Sequence, residues 1–472
     1  MNSAYIWIIF PLLVSVIFLL LQSRKTLVAI LATIVTAGLA LLAAWLPVQE
    51  QIFVWRWVVP FSDTFVVFGR RFVLSAADRP SLIVIYLTAA LWFGAAPIAR
   101  PNKLFVPVGL AMVALLTAAI AVEPFLFAAV IIEIAVLISI PFLSPPGSPT
   151  GSGVLRYLSF QTIGMPFILI SGFMLTGFEV GPGAQEFVAI ATASLLIGFA
   201  LLLAVFPFHT WIPMLAFESH PYSTAFVFLV LPVAVSLLGI GFLDRFVWLK
   251  ESPNTSLLLQ FVGVLMIVTA GIWAAVERHL ARLMGFALIL DIGFSMIAIG
   301  LASSGRSELY RGLFFAGLVP RGLCLGVWAL ALSGLKGKVE GLDLKDIKGL
   351  SREYPIITIS IVLAIFCLAG MPLLASFPIR LGVIEGLSMS TSQVSVSVWA
   401  VIGSLGLLVG GMRVLASMVM GSDEAHWQVN EPRLLAIFLV FGVIGLLLMG
   451  LVPNLFLQSF LNLSVSFGQL VP

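Results

Sequence analysis

The chain has 472 residues, of which 61% are hydrophobic and 10% charged, against about 25% charged in an ordinary soluble domain. With a mean hydropathy of +1.16 it lacks the polar surface that a soluble enzyme needs, and neither a disordered nor a fibrous protein has this composition. The small net charge of +3 points to no nucleic-acid partner, and long continuous apolar runs exclude a barrel of short alternating strands.

The predicted fold class is an all-α polytopic membrane protein. A span needs about 20 apolar residues. Such runs occur at 4–22, 27–46, 81–98, 104–122, 124–143, 157–177, 186–206, 222–243, 255–276, 282–302, 308–334, 354–389, 394–420 and 432–452, about fourteen spans by that length criterion. No small-residue cleavage site follows the first run, so it reads as a span and not as a leader. The tail 453–472 extends the last span or lies at the interface. The long loop 47–80 carries Phe53, Val54, Trp55, Trp57, Val58 and Val59, which predicts a short hairpin at the membrane surface. Lys and Arg are more numerous in the loops that include Arg24, Lys25, Arg278 and Arg282 and the stretch 336–353. The positive-inside bias then puts both termini on the outer side of a cell membrane.

Ionisable groups inside spans cost several kcal/mol unless paired or wet, so each is a functional candidate. Glu133 lies at the centre of the fifth run and Asp291 within the tenth; Arg321, Arg380 and Arg413 also fall inside runs, with Glu123 and Glu385 nearer run ends. The segment 201–221, LLLAVFPFHTWIPMLAFESHP, reads as a helix broken by Pro207 and Pro213, which remove two helix donors. His209 sits in that break and titrates near neutrality, which suits a proton relay; it equally suits a packing role. Glu218 and His220 lie at a loop edge. Cys324 and Cys367 fall in apolar runs and read as core residues, with no disulfide, no metal site and no cofactor expected.

The second half repeats the design. Arg321 follows Pro320, and Arg380 follows Pro372 and Pro378 in another interrupted run. Glu133 and Asp291 are five spans apart, as are the two breaks. An odd offset gives two units of opposite topology, the pattern of inverted-repeat transporters. The organisation predicted is an N-terminal unit at 1–103, five-helix repeats at 104–243 and 255–420, and a last span with its tail at 421–472.

Five segments then resemble, in order, the antiporter-like proton-pumping membrane subunits of respiratory complex I, a family shared with Mrp-type cation/proton antiporters and energy-converting hydrogenases. FVLSAADRPSLIVIYL resembles the start of that family's third helix, and AVEPFLFAAVIIEI its fifth with the glutamate, here Glu133. FPFHTWIP at 206–213 resembles the broken seventh helix. RHLARLMGFALILDIGFSMIAIG resembles the ninth-to-tenth join and LAGMPLLASFPIRL the broken twelfth helix. The resemblance covers roughly 70–420.

It implies a glutamate–lysine pair on the fifth and seventh helices, a hydrated axis of further charges, and protons crossing by two half-channels. This chain departs from that pattern. Leu202 stands where the seventh-helix lysine is expected, and the eighth-helix lysine is absent. Asp291 matches the tenth-helix histidine, Arg321 the eleventh-helix lysine, and Arg380 the lysine or glutamate of the twelfth. Arginine keeps its charge but does not release a proton at ordinary pH.

Two readings stay open. Protons pass by water, Asp291 and Glu133 with the arginines as fixed counter-charges, or the chain is a non-pumping spacer in which Asp291 and Arg321 merely join helices. The resemblance implies a subunit of a complex I-like NADH:quinone oxidoreductase or related redox-driven pump. The alternatives are an Mrp-type antiporter subunit and a membrane scaffold coupling a soluble partner. Partners expected are other membrane subunits, the lipid bilayer and a soluble protein at 336–353; that charged stretch also fits a solvated inner loop. No redox centre is expected in the chain. It ends soon after the last run without the lateral helix of the family's largest member, which likens it to the mid-arm members.

Overall fold

The computed structural model describes residues 4–45, 52–54, 57–59, 64–67, 69–74, 78–144, 147, 149–177, 184–246, 249–250, 252–303, 307–389, 394–420 and 429–461. Among them, nine helices are long and apolar enough to cross a membrane, and the shorter apolar helices occupy the remaining predicted runs. The protein is an all-α polytopic membrane protein.

After a π-turn at Tyr5–Ile9 come α1 (Phe10–Leu20), α2 (Lys25–Trp45), α3 (Arg79–Ala99), α4 (Phe105–Ala121), α5 (Phe127–Leu143), α6 (Ser152–Gly177) and α7 (Ala184–Leu202). A 3-10 turn, Phe208–Thr210, leads into the short α8 (Trp211–Glu218). Then follow α9 (Pro221–Arg245), α10 (Pro253–Val276), α11 (Leu280–Ala302), α12 (Ser307–Leu335), α13 (Pro355–Ala369), α14 (Phe377–Ser388), α15 (Val394–Val419), α16 (Arg433–Leu451) and α17 (Pro453–Leu461).

The expected hairpin in 47–80 is two hairpins. Strand β1 (Ile52–Val54) pairs with β2 (Trp57–Val59), and β3 (Thr64–Val67) with β4 (Arg70–Val73). A further strand, β5 (Val122–Glu123), joins β4 from the α4–α5 turn. Arg70 covers the Phe127 ring at 3.6 Å, which ties this layer to the start of α5. The tail folds as α17, and Leu461 packs against Gly312 of α12; residues 462–472 lie outside the described ones.

Both predicted breaks are real, and they end their helices in the same way. In each, an N–H just past the helix end bonds back five residues, immediately after a left-handed residue: Val205 to the Ala200 carbonyl at 2.9 Å, Met371 to the Phe366 carbonyl at 3.0 Å. Those left-handed residues are Ala204 at φ 57° and Gly370 at φ 80°. This is the Schellman termination, which satisfies carbonyls that a broken helix leaves bare in lipid. Proline follows in both cases, Pro207 and Pro372, and cannot restart the helix. Pro213 lies in the first turn of α8, where its missing N–H has no helical partner to lose. Pro320 leaves α12 continuous.

The 18-residue apolar window of α11 is entirely buried and that of α9 is 78% buried, whereas that of α16 is 22% buried. The bundle therefore has α9, α11 and α12 at its centre and α16 at its rim. Lipid tails are as apolar as leucine, so helices associate by close packing and not by a hydrophobic drive. Glycines supply that closeness. A Cβ on Gly263 or Gly293 would come within 2.6 Å of the other's carbonyl oxygen, and one on Gly271 would overlap Gly403. Helix α10 is thus held backbone to backbone against α11 on one side and α15 on the other.

Replacing Gly271 by Val should wedge α10 from α15, at a cost of about 1–3 kcal/mol. The measurement is the thermal unfolding midpoint in detergent beside Gly38→Ala, where a Cβ meets nothing within 4 Å. Equal midpoints would refute this packing.

Candidate functional site

Three of the predicted residues, from three helices, meet at one point. Asp291 on α11 accepts from Arg321 Nε of α12 with Oδ2, and from Arg380 Nη2 of α14 with Oδ1 at 3.1 Å. Arg321 Nη2 also donates to Ser295 Oγ, one turn from Asp291. Arg321 is 2% exposed and Arg380 4%. Such burial is tolerable only with a counter-charge and directed hydrogen bonds, and Asp291 supplies both to two guanidiniums at once.

The second break builds this geometry. Arg380 sits in the first turn of α14, and its stem passes over Gly370. A Cβ there would lie 2.8 Å from Arg380 Cδ, so Gly370 serves both the left-handed turn and the close approach. The guanidinium rests on the Phe294 ring at 4.4 Å. Cys367 and Ser376 lie 3.4 Å apart, Sγ to Oγ, which keeps the entry to α14 against α13.

The group is not saturated. Arg321 Nη1 and Arg380 Nε and Nη1 are buried without partners. Both arginines line a cavity of about 30 Å³ together with Asp291, Ser295, Ser376, Phe294 and Phe314, enough for about one water molecule. Chemically, one carboxylate and two cations hold a net positive charge beside a small polar space. Both carboxylate oxygens already accept N–H donors. A proton arriving on either makes it an O–H facing an N–H, so one arginine must withdraw.

The first half is different. Glu133 on α5 accepts from Thr162 Oγ1 at 2.7 Å, and its Oε2 is buried without a partner; no salt bridge to it occurs among the described residues. Leu202 is fully buried and packs against Gly164 of α6, while its carbonyl accepts from Gln161 Nε2 at 3.2 Å. An apolar side chain thus fills the place where a base was expected. His209 is half-buried, stacked on Phe206 at 5.5 Å, with Nδ1 unpaired. None of the hydrogen bonds or ion pairs described joins Glu133 or His209 to the Asp291 group. Along α9 the interior is aromatic instead: Tyr222 and Phe226 pack with Trp92 and Phe105, and Tyr222 donates to the Trp92 carbonyl at 2.7 Å.

The sequence reading missed one site. Asp244, in the last turn of α9 and 5% exposed, accepts from Lys250 Nζ at 2.8 Å and Arg311 Nη2 at 3.0 Å on the same oxygen. Asp244 follows immediately after the predicted run 222–243, Lys250 lies in the loop beyond it, and Arg311 lies at the start of the run 308–334. The proximity of Asp244 to a run end was the available signal. Other ionisable residues have structural roles. Arg413 Nη1 donates to the Ala275 and Glu277 carbonyls and closes the end of α10. Glu385 is exposed. The stretch 336–353 lies on the body of the protein: Leu280 N–H bonds to the Leu342 carbonyl, Leu344 N–H to that of Arg278, and Gly349 N–H to that of Ser417.

The sequence profile of the NADH:quinone oxidoreductase/Mrp antiporter transmembrane family matches residues 111–408. The chain belongs to this family. A similar relative within it is NADH-quinone oxidoreductase subunit N of Ectopseudomonas mendocina (strain ymp), 26% identical over 295 residues, which are 58% of this chain and 57% of that protein. The match thus spans little more than half the relative's length. Among solved structures, a chain of the Mrp complex from Dietzia sp. DQ12-45-1b superposes with a TM-score of 0.77 at 17% identity, covering 99% of this chain and 97% of that one. A chain of an archaeal membrane-bound sulfane sulfur reductase, a respiratory membrane complex, superposes at 0.80 and 18% identity over the same shares. These likenesses show that the fold of this family member is shared with both chains.

His220 offers a pH test at the membrane edge. Its Nδ1 accepts from the Tyr222 N–H at 3.3 Å and caps α9. Burial, aided by Lys336, pushes its pKa down from 6.5 to about 4. The unfolded chain therefore takes up the proton first as pH falls. Stability should be complete above about pH 7, decline through the window between these two values, and level off below it. Thermal midpoints from pH 8 to 4 check this. A His220→Asn variant, capped but not titrating, should be flatter in that window; the same slope in both would refute the assignment.

Proposed function

We propose that this chain is an antiporter-like, proton-translocating membrane subunit of a complex I-like NADH:quinone oxidoreductase or a related redox-driven pump. Its conducting groups lie in the second half. The observation that carries this reading is Asp291 clamped by Arg321 and Arg380 beside a cavity at the second helix break. A pair that merely joined two helices would need one arginine and no space for water.

Asp291 is the proton carrier of this reading, and Arg321 is a fixed cation that sets the potential it feels. Arg380 is the mobile clamp, because it stands on a short helix entered through a non-helical segment. Its withdrawal frees Oδ1 for a proton, and its return expels that proton. Conformational or charge changes in a neighbouring membrane subunit would drive the alternation. Glu133, paired with a hydroxyl, and His209, stacked on Phe206, act as secondary groups at the edge of the path.

The reading includes the division into two five-helix units, 104–243 and 255–420, and a plasma-membrane location with both termini outside. It includes other membrane subunits as partners, lipid around the rim, and a soluble partner resting on 336–353. That stretch is bonded to the α10–α11 join and to the end of α15, so a partner there would act on α11 directly. The name carried by the relatives supports the redox-pump assignment. The superposition on the Mrp chain favours a second reading, a subunit of a stand-alone cation/proton antiporter. Purification in mild detergent and identification of the co-purifying subunits separates the two.

In vesicles holding the assembled complex, Asp291→Asn should reduce proton uptake at least tenfold and Glu133→Gln by a smaller factor. Arg380→Leu should harm uptake more than Arg380→Lys, which keeps a cation but not the guanidinium fork. Unchanged uptake in both acid variants would instead support a non-conducting scaffold.

A further inference from the structure

We propose that Asp244, with Lys250 and Arg311, is a second proton station in this chain, and that Phe314 is the gate between it and Asp291. The proposal rests on the conducting reading above and names the route by which Asp291 exchanges protons with one face of the membrane.

Three observations carry it. First, Asp244 has the composition of the Asp291 group, one buried carboxylate with two bases, here at the membrane edge. Its Oδ1 accepts both bases, while Oδ2 is buried without a partner. Second, that carboxylate lines its own cavity of about 20 Å³ with Lys250, Arg311, Ser303 and Phe314, again room for about one water molecule. Third, Phe314 also lines the Asp291 cavity. The two spaces meet at one aromatic ring.

The helix register aligns the parts. On α12, Arg311, Phe314 and Arg321 are spaced i, i+3 and i+10, which is one face of a helix. On α11, Ser295 and Ala298 line the inner cavity and Ala302 the outer one, a stripe of small residues from Asp291 to the helix end. Lys250 is 26% exposed by its side chain and Asp244 4%, so the station is open to water through Lys250 and closed behind it.

In the transfer, Asp244 Oδ2 takes a proton from a hydrated proton at the Lys250 face, leaving water and a neutral carboxyl. Rotation of the Phe314 ring joins the cavities. The proton then leaves Asp244 as it is regenerated as carboxylate, passes over the intervening water, and arrives on Asp291 Oδ1 when Arg380 withdraws. The reverse order releases a proton to the same face.

The test uses the full chain with its co-assembled subunits in membrane vesicles. Passive proton flux is read after an imposed pH step, and hydroxyl-radical footprinting reads water beside Phe294, in the wall of the inner cavity. Phe314→Ala should raise flux and Phe294 labelling at least threefold, and Phe314→Trp should lower both. Asp244→Asn should slow flux about tenfold, with Asp244→Glu restoring most of it. Should Phe314→Ala fail to assemble, Phe314→Leu opens the gate in part and serves in its place. Flux and labelling identical in the small and large variants would overturn the route. Labelling that responds in a complex that passes no protons at all would overturn the conducting reading and leave the gate standing.

Discussion

An arginine cannot shed its charge to suit a dry environment. Two of them within a bundle centre oblige the rest of the second half to serve them. Asp291 divides its carboxylate between them, Ser295 takes a spare donor, Phe294 offers its ring face, and Gly370 gives up a side chain so that one stem can pass. The Schellman end of α13 is part of the same solution. It frees a stretch of backbone that carries Arg380 to the carboxylate without leaving bare carbonyls in lipid.

The two halves share their breaks and differ in their interiors. The first break ends α7 as the second ends α13, down to the five-residue backward bond. Around the first break, however, Leu202 and a cluster of rings fill the space, and Glu133 finds only a hydroxyl. The same backbone device therefore serves an apolar interior in one half and an ionic one in the other. Backbone geometry supplies the place for a charge, and the side chains decide whether it is used.

Much of this was legible beforehand. Length and hydropathy fix spans because each backbone amide in lipid must bond within its own helix, so the runs and the helices coincide. Pro207 and Pro372 mark the breaks for reasons of sterics alone. Asp291, Arg321 and Arg380 stood out because a charge at depth is costly. Their convergence on one carboxylate was not legible, since it depends on rotations of three helices that no local pattern specifies. Ala204 in a left-handed turn was hidden too, because alanine does not announce that conformation. Asp244 was overlooked for a related reason: at the end of a span it is as cheap in water as in protein, and only tertiary packing makes it buried. Gly271 and Gly403 read as ordinary glycines until the helices they bring together are seen side by side.

Leu202 has a consequence for the route. Two half-channels joined by an axis make one crossing path, and on the proposed function a first half without a base opposite its acid leaves one of them unbuilt. Entry and exit then both fall to the second half, which alone bears the electrical work of about 2.3 kcal/mol per proton for each 100 mV of membrane potential.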